Sequence, residues 1–145
     1  MNIQRAAAED LNRATSLLDA AGLPPLGSHL PLANILVALE DSAVVGVIAL
    51  EVRGLVGLVH SAAVAPNHQG VGSSLLQSLL ARAHALSLRE LYLLSEDTAG
   101  FFAEAEFSSI PRDAVPPEIR STREFRERRP DAAAVMRLQL ATRCV

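Results

Sequence analysis

The chain has 145 residues, of which 50% are apolar and 20% are charged, and its formal net charge is −3. This length predicts a single domain over residues 1–145, built around one core. The sequence contains no lysine, which excludes a phosphate-loop NTPase and a pyridoxal-phosphate enzyme, because both need a lysine side chain. The acidic balance argues against a nucleic-acid partner.

Cysteine usage and hydropathy bear on the compartment. The single cysteine, Cys144, can form neither an internal disulfide nor a cysteine-based zinc site, which favours a reducing compartment. The longest apolar stretch, residues 44–50, is far shorter than the roughly 20 residues that a transmembrane helix needs. No apolar signal core follows Arg5 at the start of the chain. These features predict a cytoplasmic protein with no membrane partner.

The first third of the chain alternates between helical and strand patterns. Apolar residues at three- and four-residue steps predict an amphipathic helix over residues 8–21, ended by Gly22. Residues 22–32 contain three prolines and two glycines, so they form a loop or a broken helical turn, and such segments often carry function. Two β-rich runs, at residues 35–39 and 44–50, flank a short polar turn and predict a hairpin.

The middle of the chain predicts a β-α-β unit. Residues 55–64 are apolar at both parities, as in a strand that is buried on both faces. A broad leucine stripe predicts a helix over residues 73–86, and residues 91–94 form a short buried strand. A strand, a crossover helix and a second strand imply a parallel strand pair. Thr98 can cap the helix that follows.

The last third of the chain has a different composition. Residues 118–129 are highly charged and predict a helix, whereas residues 132–140 fit either a strand or a helix by periodicity. The whole order of elements predicts an α/β fold. Its central sheet is mixed, has about six to seven strands and carries helices on both faces.

One stretch carries most of the functional information. It joins the 55–64 strand to the 73–86 helix through Gln69-Gly70-Val71-Gly72-Ser73-Ser74. Glycines let the backbone approach a ligand, and the unsatisfied N–H groups of a first helical turn suit a phosphate or diphosphate. The alternative is that these glycines serve only the turn. Leu75 occupies the third glycine position of the dinucleotide-binding pattern, so that pattern does not fit.

This stretch and two others resemble the GCN5-related N-acetyltransferase (GNAT) family. Residues 69–74 look like its Q/R-x-x-G-x-G/A acyl-CoA signature, and residues 62–66 resemble the strand ending L-A-V-x-P before it. Residues 99–107 resemble its A-x-x-F-Y-E-x-x-G-F helix. Because the order of elements also matches, the resemblance covers essentially the whole chain. It implies the GNAT fold and acetyl-CoA as cosubstrate.

The chain departs from the family pattern at three positions. Ser74 replaces a Gly or Ala, and Glu106 replaces the Gly before the final Phe of the helix. Phe102 stands where many members have a tyrosine, so the general-acid role of that tyrosine is lost. Loss of this acid slows the acetyl transfer but does not prevent it, because a thiolate is a tolerable leaving group without protonation. Tyr92, the only tyrosine, lies on the strand before this helix and is a poor substitute.

The resemblance implies which residues bind the cosubstrate. The backbone amides of the motif hold the diphosphate, and a backbone amide at the end of the preceding strand polarises the thioester carbonyl. Two aromatic residues of the later helix complete the set. The implied residues are Gln69, Gly70, Val71, Gly72, Ser73 and Ser74, then Ala62, Ala63 and Val64, and finally Phe101 and Phe102.

Two residues are candidates for the base that takes the proton of the attacking amine. Glu51 follows an apolar strand, and His60 lies inside a buried one and has the side chain that exchanges protons near neutrality. The alternatives are that Glu51 begins a solvated turn and that His60 is a core or edge residue. In a GNAT subgroup found with arsenic-resistance genes, which this chain resembles, the residue at the position of His60 is basic and faces the substrate. The resemblance therefore makes His60 a candidate for substrate binding as well.

Other residues are candidates for the acceptor site. His29 lies in the proline-rich loop, and Arg120, Thr122 and Phe125 lie in the charged C-terminal run. Arginines three residues apart, starting at Arg120, would share one side of a helix. These arginines either form a solvated surface and pair with the neighbouring glutamates, or one of them binds a substrate carboxylate through two hydrogen bonds. The four histidines show no metal-binding spacing, so no metal is predicted.

Residues 116–125 and 132–137 resemble a GNAT subgroup found with arsenic-resistance genes, itself similar to amino-acid acetyltransferases of the N-acetylglutamate type. The resemblance implies direct acetyl transfer to the primary amine of a small, anionic, amino-acid-like substrate within a ternary complex. Two alternatives stay open: a non-catalytic acyl-CoA-binding module, which the loss of the tyrosine favours, and an acetyltransferase of proteins or peptides. The C-terminal strand of this family often pairs across a dimer, which makes a homodimer a hypothesis.

Overall fold

The computed structural model describes residues 2–23, 26–27, 30–95, 99–127 and 134–140. In these residues the strands are β1 (Asn2–Arg5), β2 (Ile35–Glu40), β3 (Ala43–Arg53), β4 (Val56–Val64), β5 (Glu90–Ser95), β6 (Ser108–Ser109) and β7 (Ala134–Gln139). The α-helices are α1 (Leu11–Ala20), α2 (Val71–Ala85), α3 (Ala99–Glu104), α4 (Pro117–Arg120) and α5 (Arg123–Glu127).

The strands form the mixed sheet that the order of elements predicts. They hydrogen-bond in the order β1-β2-β3-β4-β5-β7-β6. The pairs β1–β2 and β2–β3 are antiparallel, and β7 is antiparallel to both β5 and β6. Residues 56–59 of β4 and 90–93 of β5 form a parallel pair, with α2 as the crossover helix. The predicted β-α-β unit is therefore confirmed.

The chain forms two compact units. Unit 1 comprises Met1–Glu51 and His60–Ala85, and unit 2 comprises Val52–Val59 and Leu86–Val145.

Unit 1 has a helix on each face of its strands. Apolar side chains of α1 pack against odd-numbered residues of β2 and β3, and this cluster includes Ala14, Leu18, Ile35, Val37, Val47 and Ala49. Even-numbered residues point to the other face, where Gly46 lies opposite Ala38 and beneath Val71 and Leu75 of α2. Because the two helices contact residues of opposite parity, they cover opposite faces of the sheet.

An apolar cluster of unit 2 joins its strands to the C-terminal helices. Side chains of β4, β5 and β7 pack there against the segment that contains α4 and α5. The cluster comprises Val56, Leu58, Tyr92, Leu94, Val115, Ile119, Phe125 and Val135. The short C-terminal helices are therefore held by burial and not by their own length, since helices of one turn are marginal in isolation.

Several predicted boundaries differ from the structure. The 55–64 strand begins at Val56, because Leu55 lies in the hairpin turn and is 49% exposed. The 73–86 helix begins two residues earlier, at Val71. The charged run predicted as one helix is two short ones, α4 and α5, separated at Ser121 and Thr122. The ambiguous C-terminal segment is the strand β7.

Some predictions fall on residues outside the described ranges. They are the helix cap at Thr98, the loop position His29 and the single cysteine, Cys144. Among the described residues, no helix combines the length and the apolar character that a membrane crossing needs.

Candidate active site

The turn between β4 and α2 carries the glycine motif. Asn67 and Gly70 both adopt positive φ angles, +65° and +84°. A Cβ atom on Gly70 would meet no atom within 4 Å, so this position favours glycine because of its backbone conformation and not because of crowding. Val71 is buried and anchors the start of α2, whereas Gln69 and Ser73 are exposed. The turn therefore presents polar groups to solvent above an apolar anchor.

The first turn of α2 leaves two backbone donors open. The Ser74 N–H donates to Gly70 O at 3.1 Å, and the Val71 N–H reaches His68 O only at 3.5 Å. Within the described part of the chain, the N–H groups of Gly72 and Ser73 have no backbone acceptor. These groups lie at the positive end of the helix dipole, beside the open space at Gly70. The arrangement fits a phosphate or diphosphate group.

The end of β4 is irregular against β3. A regular continuation of their two-residue hairpin turn would place Val45 opposite Val64. Instead, the Ala65 N–H donates to Val45 O at 2.8 Å, so β4 holds one extra residue, as in a β-bulge. In this stretch Ala62 and Val64 are exposed and Ala63 is buried. Bulges change the direction of backbone groups, and they are common beside active sites.

The two candidate bases lie next to each other. Glu51 is on β3 and His60 is on β4, and His60 Nε2 lies 3.5 Å from Glu51 Oε1. The side chains are only 9% and 5% exposed for His60 and Glu51. Glu51 does not begin a solvated turn, because β3 continues to Arg53. A buried imidazole beside a carboxylate keeps both residues candidates for accepting a proton from a substrate.

A second histidine–glutamate pair contacts the turn between β4 and α2, which we call the motif turn. The His68 Nδ1–H donates to Pro66 O at 2.8 Å, because a carbonyl oxygen can only accept. His68 Nε2 lies 3.6 Å from Glu40 Oε2 at the end of β2, and these side chains are 28% and 49% exposed. Neither pair extends into a metal site: among the described residues, no cluster of three His, Cys, Asp or Glu side chains could hold a metal ion.

Sequence reasoning missed the contacts that hold α2 in place. A Cβ atom on Gly46 would lie 2.8 Å from both Val71 Cγ1 and Leu75 Cδ1, so glycine permits the close approach of α2 to β3. At the other end of the helix, Arg82 Nε donates to Oδ1 of the buried Asn34 at 3.1 Å. A glycine inside an apolar strand pattern is a signal that points to Gly46. No sequence signal joins Asn34 to Arg82.

Two predicted substrate residues make structural contacts in unit 2. Thr122 is fully buried, and its Oγ1 donates to Ile119 O at 2.6 Å and accepts from the Phe125 N–H at 3.3 Å. It therefore caps the N-terminus of α5. The Arg112 guanidinium carbon lies 4.2 Å from the centroid of the Phe125 ring, and Arg112 Nη2 donates to Phe125 O. Substrate contact by Thr122 or Phe125 stays a prediction.

The arginines of the C-terminal run do not share one helix. Arg120 ends α4, whereas Arg123 and Arg126 belong to α5, so the predicted common helix side is wrong. The reason is the cap between the helices, which starts a new helix axis. Arg123 Nε lies 3.0 Å from Glu127 Oε1, and both side chains are strongly exposed, as expected for a self-paired surface. Arg120 is exposed and keeps its predicted substrate role as a hypothesis.

The aromatic residues of α3 form a small edge-to-face cluster with Phe107. Phe101 and Phe102 have ring centroids 5.1 Å apart, and Phe102 packs edge-on against Phe107 at 5.5 Å. Phe102 is buried, whereas Phe101 is 38% exposed. Phe101 is therefore the one of the two with surface left for a ligand, and contact of either with the cosubstrate stays a prediction.

Tyr92 has a partner and a perturbed hydroxyl. Its Oη–H donates to Glu90 Oε1 at 2.9 Å on the same strand. Burial and the neighbouring Glu90 carboxylate raise the pKa of Tyr92 to about 12. A hydroxyl with a raised pKa is a weaker acid, so Tyr92 is poorly suited to replace the missing tyrosine of α3.

Sequence comparison identifies a family. Residues 7–107 match the model of the Acetyltransferase (GNAT) family. The match includes the whole glycine motif and both Glu51 and His60. No curated protein sequence matches the chain at a significant level.

Solved acetyltransferases have the same fold. The N-acetylglutamate synthase of Neisseria gonorrhoeae, complexed with coenzyme A and N-acetyl-glutamate, superposes with a TM-score of 0.83 at 23% identity over 97% of this chain, which spans 35% of the synthase's length. Rv2747 from Mycobacterium tuberculosis, in complex with CoA and NLQ, gives a TM-score of 0.78 at 24% identity, covering 97% of this chain and 100% of the other. The Escherichia coli ribosomal-protein-S18-alanine N-acetyltransferase gives 0.71 at 18% identity, with 99% and 96% covered.

Proposed function

The chain belongs to the GNAT acetyltransferase family, and on this premise we propose that it transfers acetyl from acetyl-CoA directly to the primary amine of a small, anionic, amino-acid-like substrate. The family-matched residues form an acetyl-CoA-dependent N-acetyltransferase domain. The observation that carries the proposal is the pair of open N–H groups at the half-buried Gly72 and the exposed Ser73, beside a glycine turn. A diphosphate is the part of acetyl-CoA that such donors recognise.

Each part of the reaction has proposed residues. Acetyl-CoA supplies an activated thioester, and residues 69–74 bind its diphosphate through backbone amides. A backbone amide among residues 62–64, at the irregular end of β4, donates to the carbonyl oxygen of the thioester. A preorganised donor of this kind is worth roughly 10²–10³ in rate. Phe102 offers no proton, so the thiolate leaves without a general acid from α3.

We propose that the Glu51–His60 pair accepts the proton of the substrate amine. An ammonium group has no lone pair to attack a carbonyl, so a proton must leave before or during attack. The pair is buried and its atoms are in contact, which favours proton exchange between the substrate, the imidazole and the carboxylate. Substrate binding by His60 is the alternative role of the same side chain.

The proposed substrate class is supported by the arginines of the C-terminal run and by the similarity of the chain to solved acetyltransferases. The exposed Arg120 and the other arginines of the C-terminal run offer donors to a carboxylate. Two structural neighbours were solved with CoA and a small molecule, N-acetyl-glutamate in one case and NLQ in the other. The likeness to the S18-alanine N-acetyltransferase favours a second candidate, the acetylation of a protein N-terminus.

The finer assignments are proposals as well. The motifs at residues 116–125 and 132–137 support membership of the arsenic-resistance-associated subgroup. The cysteine usage supports a cytoplasmic location, and the dimers that this family often forms support a homodimer. If arsenic is involved, the substrate is an organic amino acid that contains it, because one cysteine cannot chelate the inorganic ion.

Thiol release from acetyl-CoA tests the proposed function. The purified protein is incubated with acetyl-CoA and, separately, glutamate, glutamine, a neutral alkylamine and a peptide with a free N-terminus. We expect thiol release with the small amino acids and fastest release with glutamate. Release with the peptide alone would favour the second candidate. CoA binding without release for any amine would contradict the proposed transfer.

The same assay tests the base. We expect Glu51→Gln and His60→Gln to lower kcat/KM by about 10²-fold or more, and to move the acid-side loss of activity to higher pH, because the reaction then needs an amine that has already lost its proton. His84→Gln and Glu118→Gln are the matched controls, because both residues are exposed and lie elsewhere. A His60→Gln variant with lower substrate affinity but an unchanged pH profile would assign His60 to binding.

A further inference from the structure

Two consecutive residues of β3 hold both ends of the motif turn. Val45 O accepts the Ala65 N–H at 2.8 Å, where the turn leaves β4. Gly46 lies beneath Val71, where the turn enters α2. The register of β2 against β3 shifts at this point, because Ala38 pairs with Gly46 and the next residue pairs with Val44. The motif turn is therefore fixed to one irregular point in the sheet.

The absence of a side chain at Gly46 determines how closely α2 approaches that point. An added Cβ would lie 2.8 Å from Val71 Cγ1 and from Leu75 Cδ1, and 3.5 Å from the Ala38 Cβ. The two shorter distances are well inside the contact distance of carbon atoms. Leu75 could turn its flexible end away. Val71 is β-branched and therefore stiff at χ1, so relief of its contact would shift its backbone as well.

Movement of Val71 would displace the open amides directly. Val71 is 3% exposed and is the first residue of α2. Gly72 and Ser73 follow it in the same helical turn and supply the two donors. Rigid helix geometry passes any outward shift at Val71 on to these N–H groups. Hydrogen bonds weaken steeply with such shifts in distance and angle.

We infer that Gly46 is a positioning residue for acetyl-CoA, which seats the first turn of α2 so that the Gly72 and Ser73 amides converge on the diphosphate. The inference rests on the proposed role of residues 69–74. It adds a specific requirement on the sheet: a glycine beneath a β-branched first helical residue. The residue touches neither cosubstrate nor substrate in this role and acts through Val71.

The test compares CoA binding by calorimetry in four proteins. We expect Gly46→Ala to raise the Kd for CoA, and the KM for acetyl-CoA, roughly tenfold while kcat changes much less, since small displacements of binding groups are costly. Val47→Ala is the matched control, because it truncates the neighbouring residue on the opposite face of β3. It should lower Tm and leave the Kd within about twofold. A merely structural role for Gly46 would give the same pattern as this control.

The double variant Gly46→Ala/Val71→Ala decides the mechanism. Removing the γ-methyl groups of Val71 makes room for the new methyl group, so CoA affinity should return to within about threefold of wild type. A double variant that binds no better than Gly46→Ala, or that fails to fold, overturns the inference. So does a Gly46→Ala variant with wild-type affinity. If Gly46→Ala does not fold, a folded double variant with restored affinity still supports it.

Failure of the proposed function is distinguishable from failure of this inference. A wrong acceptor leaves CoA binding and the ranking of the variants intact but abolishes thiol release with small amino acids. A wrong role for Gly46 leaves thiol release by the wild-type protein intact but removes the difference between Gly46→Ala and Val47→Ala.

Discussion

At the scale of single residues, burial separates two otherwise similar pairs. Glu51 and His60 lie 3.5 Å apart and are almost fully buried, whereas Glu40 and His68 lie 3.6 Å apart and are partly exposed. Solvent screens the exposed pair, so its interaction is weak, while the buried pair interacts in a low dielectric. The sequence offered Glu51 and His60 as separate candidates. Their contact depends on how β3 pairs with β4, which neither residue encodes alone.

Tyr92 gives a prediction about alkaline pH. Burial and Glu90 raise its pKa from 10.0 to about 12, so the folded state holds this proton more tightly than the unfolded state. The resulting stability is fully present below pH 10 and is lost as the pH rises towards 12. The chain has one tyrosine and no lysine, and arginine stays protonated in this range, so no other side-chain type titrates there.

Near-ultraviolet absorbance of tyrosinate measures this titration directly, since the chain has no tryptophan. We expect a transition near pH 12 in the folded protein, and an unfolding free energy that falls by at most about 1.4 kcal/mol per pH unit above pH 10. Tyr92→Phe should remove this slope. A folded-state transition near pH 10 would show that the hydroxyl is not held as described.

At the scale of elements, the patterns that repeat along the sequence were the most predictable. The leucine stripe indicated α2, and apolar runs indicated β2, β3 and β5, because periodic burial leaves a periodic signal. The charged run from Glu118 was misread as one helix. Its break depends on the Thr122 side chain, which caps α5 from a fully buried position. The close packing of α2 on Gly46 was not predicted, because a contact between two elements leaves no periodic pattern in the sequence.

The cap gives a prediction at this scale. Thr122→Val keeps the shape of the side chain but leaves the buried Phe125 N–H without its acceptor, which should cost about 1–2 kcal/mol of unfolding free energy. Thr122→Ser keeps the hydroxyl and should retain most of the stability. Urea denaturation of the three proteins measures the difference. Equal midpoints for wild type and Thr122→Val would rule out the capping role.

At the scale of the whole molecule, the order of elements was enough to predict the fold class. Two hairpin-type pairs followed by a β-α-β unit leave few ways to arrange a mixed sheet, and the observed strand order is one of them. The identity of the acceptor was not predictable in the same way. The candidate acceptor residues His29, Arg120, Thr122 and Phe125 lie in segments of the sequence that have no periodic apolar pattern.

The net charge of the molecule bears on how it can bind an anionic cosubstrate. The net charge is −3, and residues 69–74 contain no cationic side chain. At the proposed site, binding of a diphosphate would depend on backbone amides and the helix dipole, which act only at short range. The proposed affinity therefore depends on the geometry of one turn and not on the overall field of the protein.

Calorimetric titration with CoA and with pantetheine, which lacks the diphosphate, tests this claim most directly. We predict saturable binding of CoA to the wild-type protein, much weaker binding of pantetheine, and loss of CoA binding in Gly72→Trp, because Gly72 supplies one of the two open amides. No heat of binding with CoA up to about 1 mM, or equal affinities for CoA and pantetheine, would contradict it.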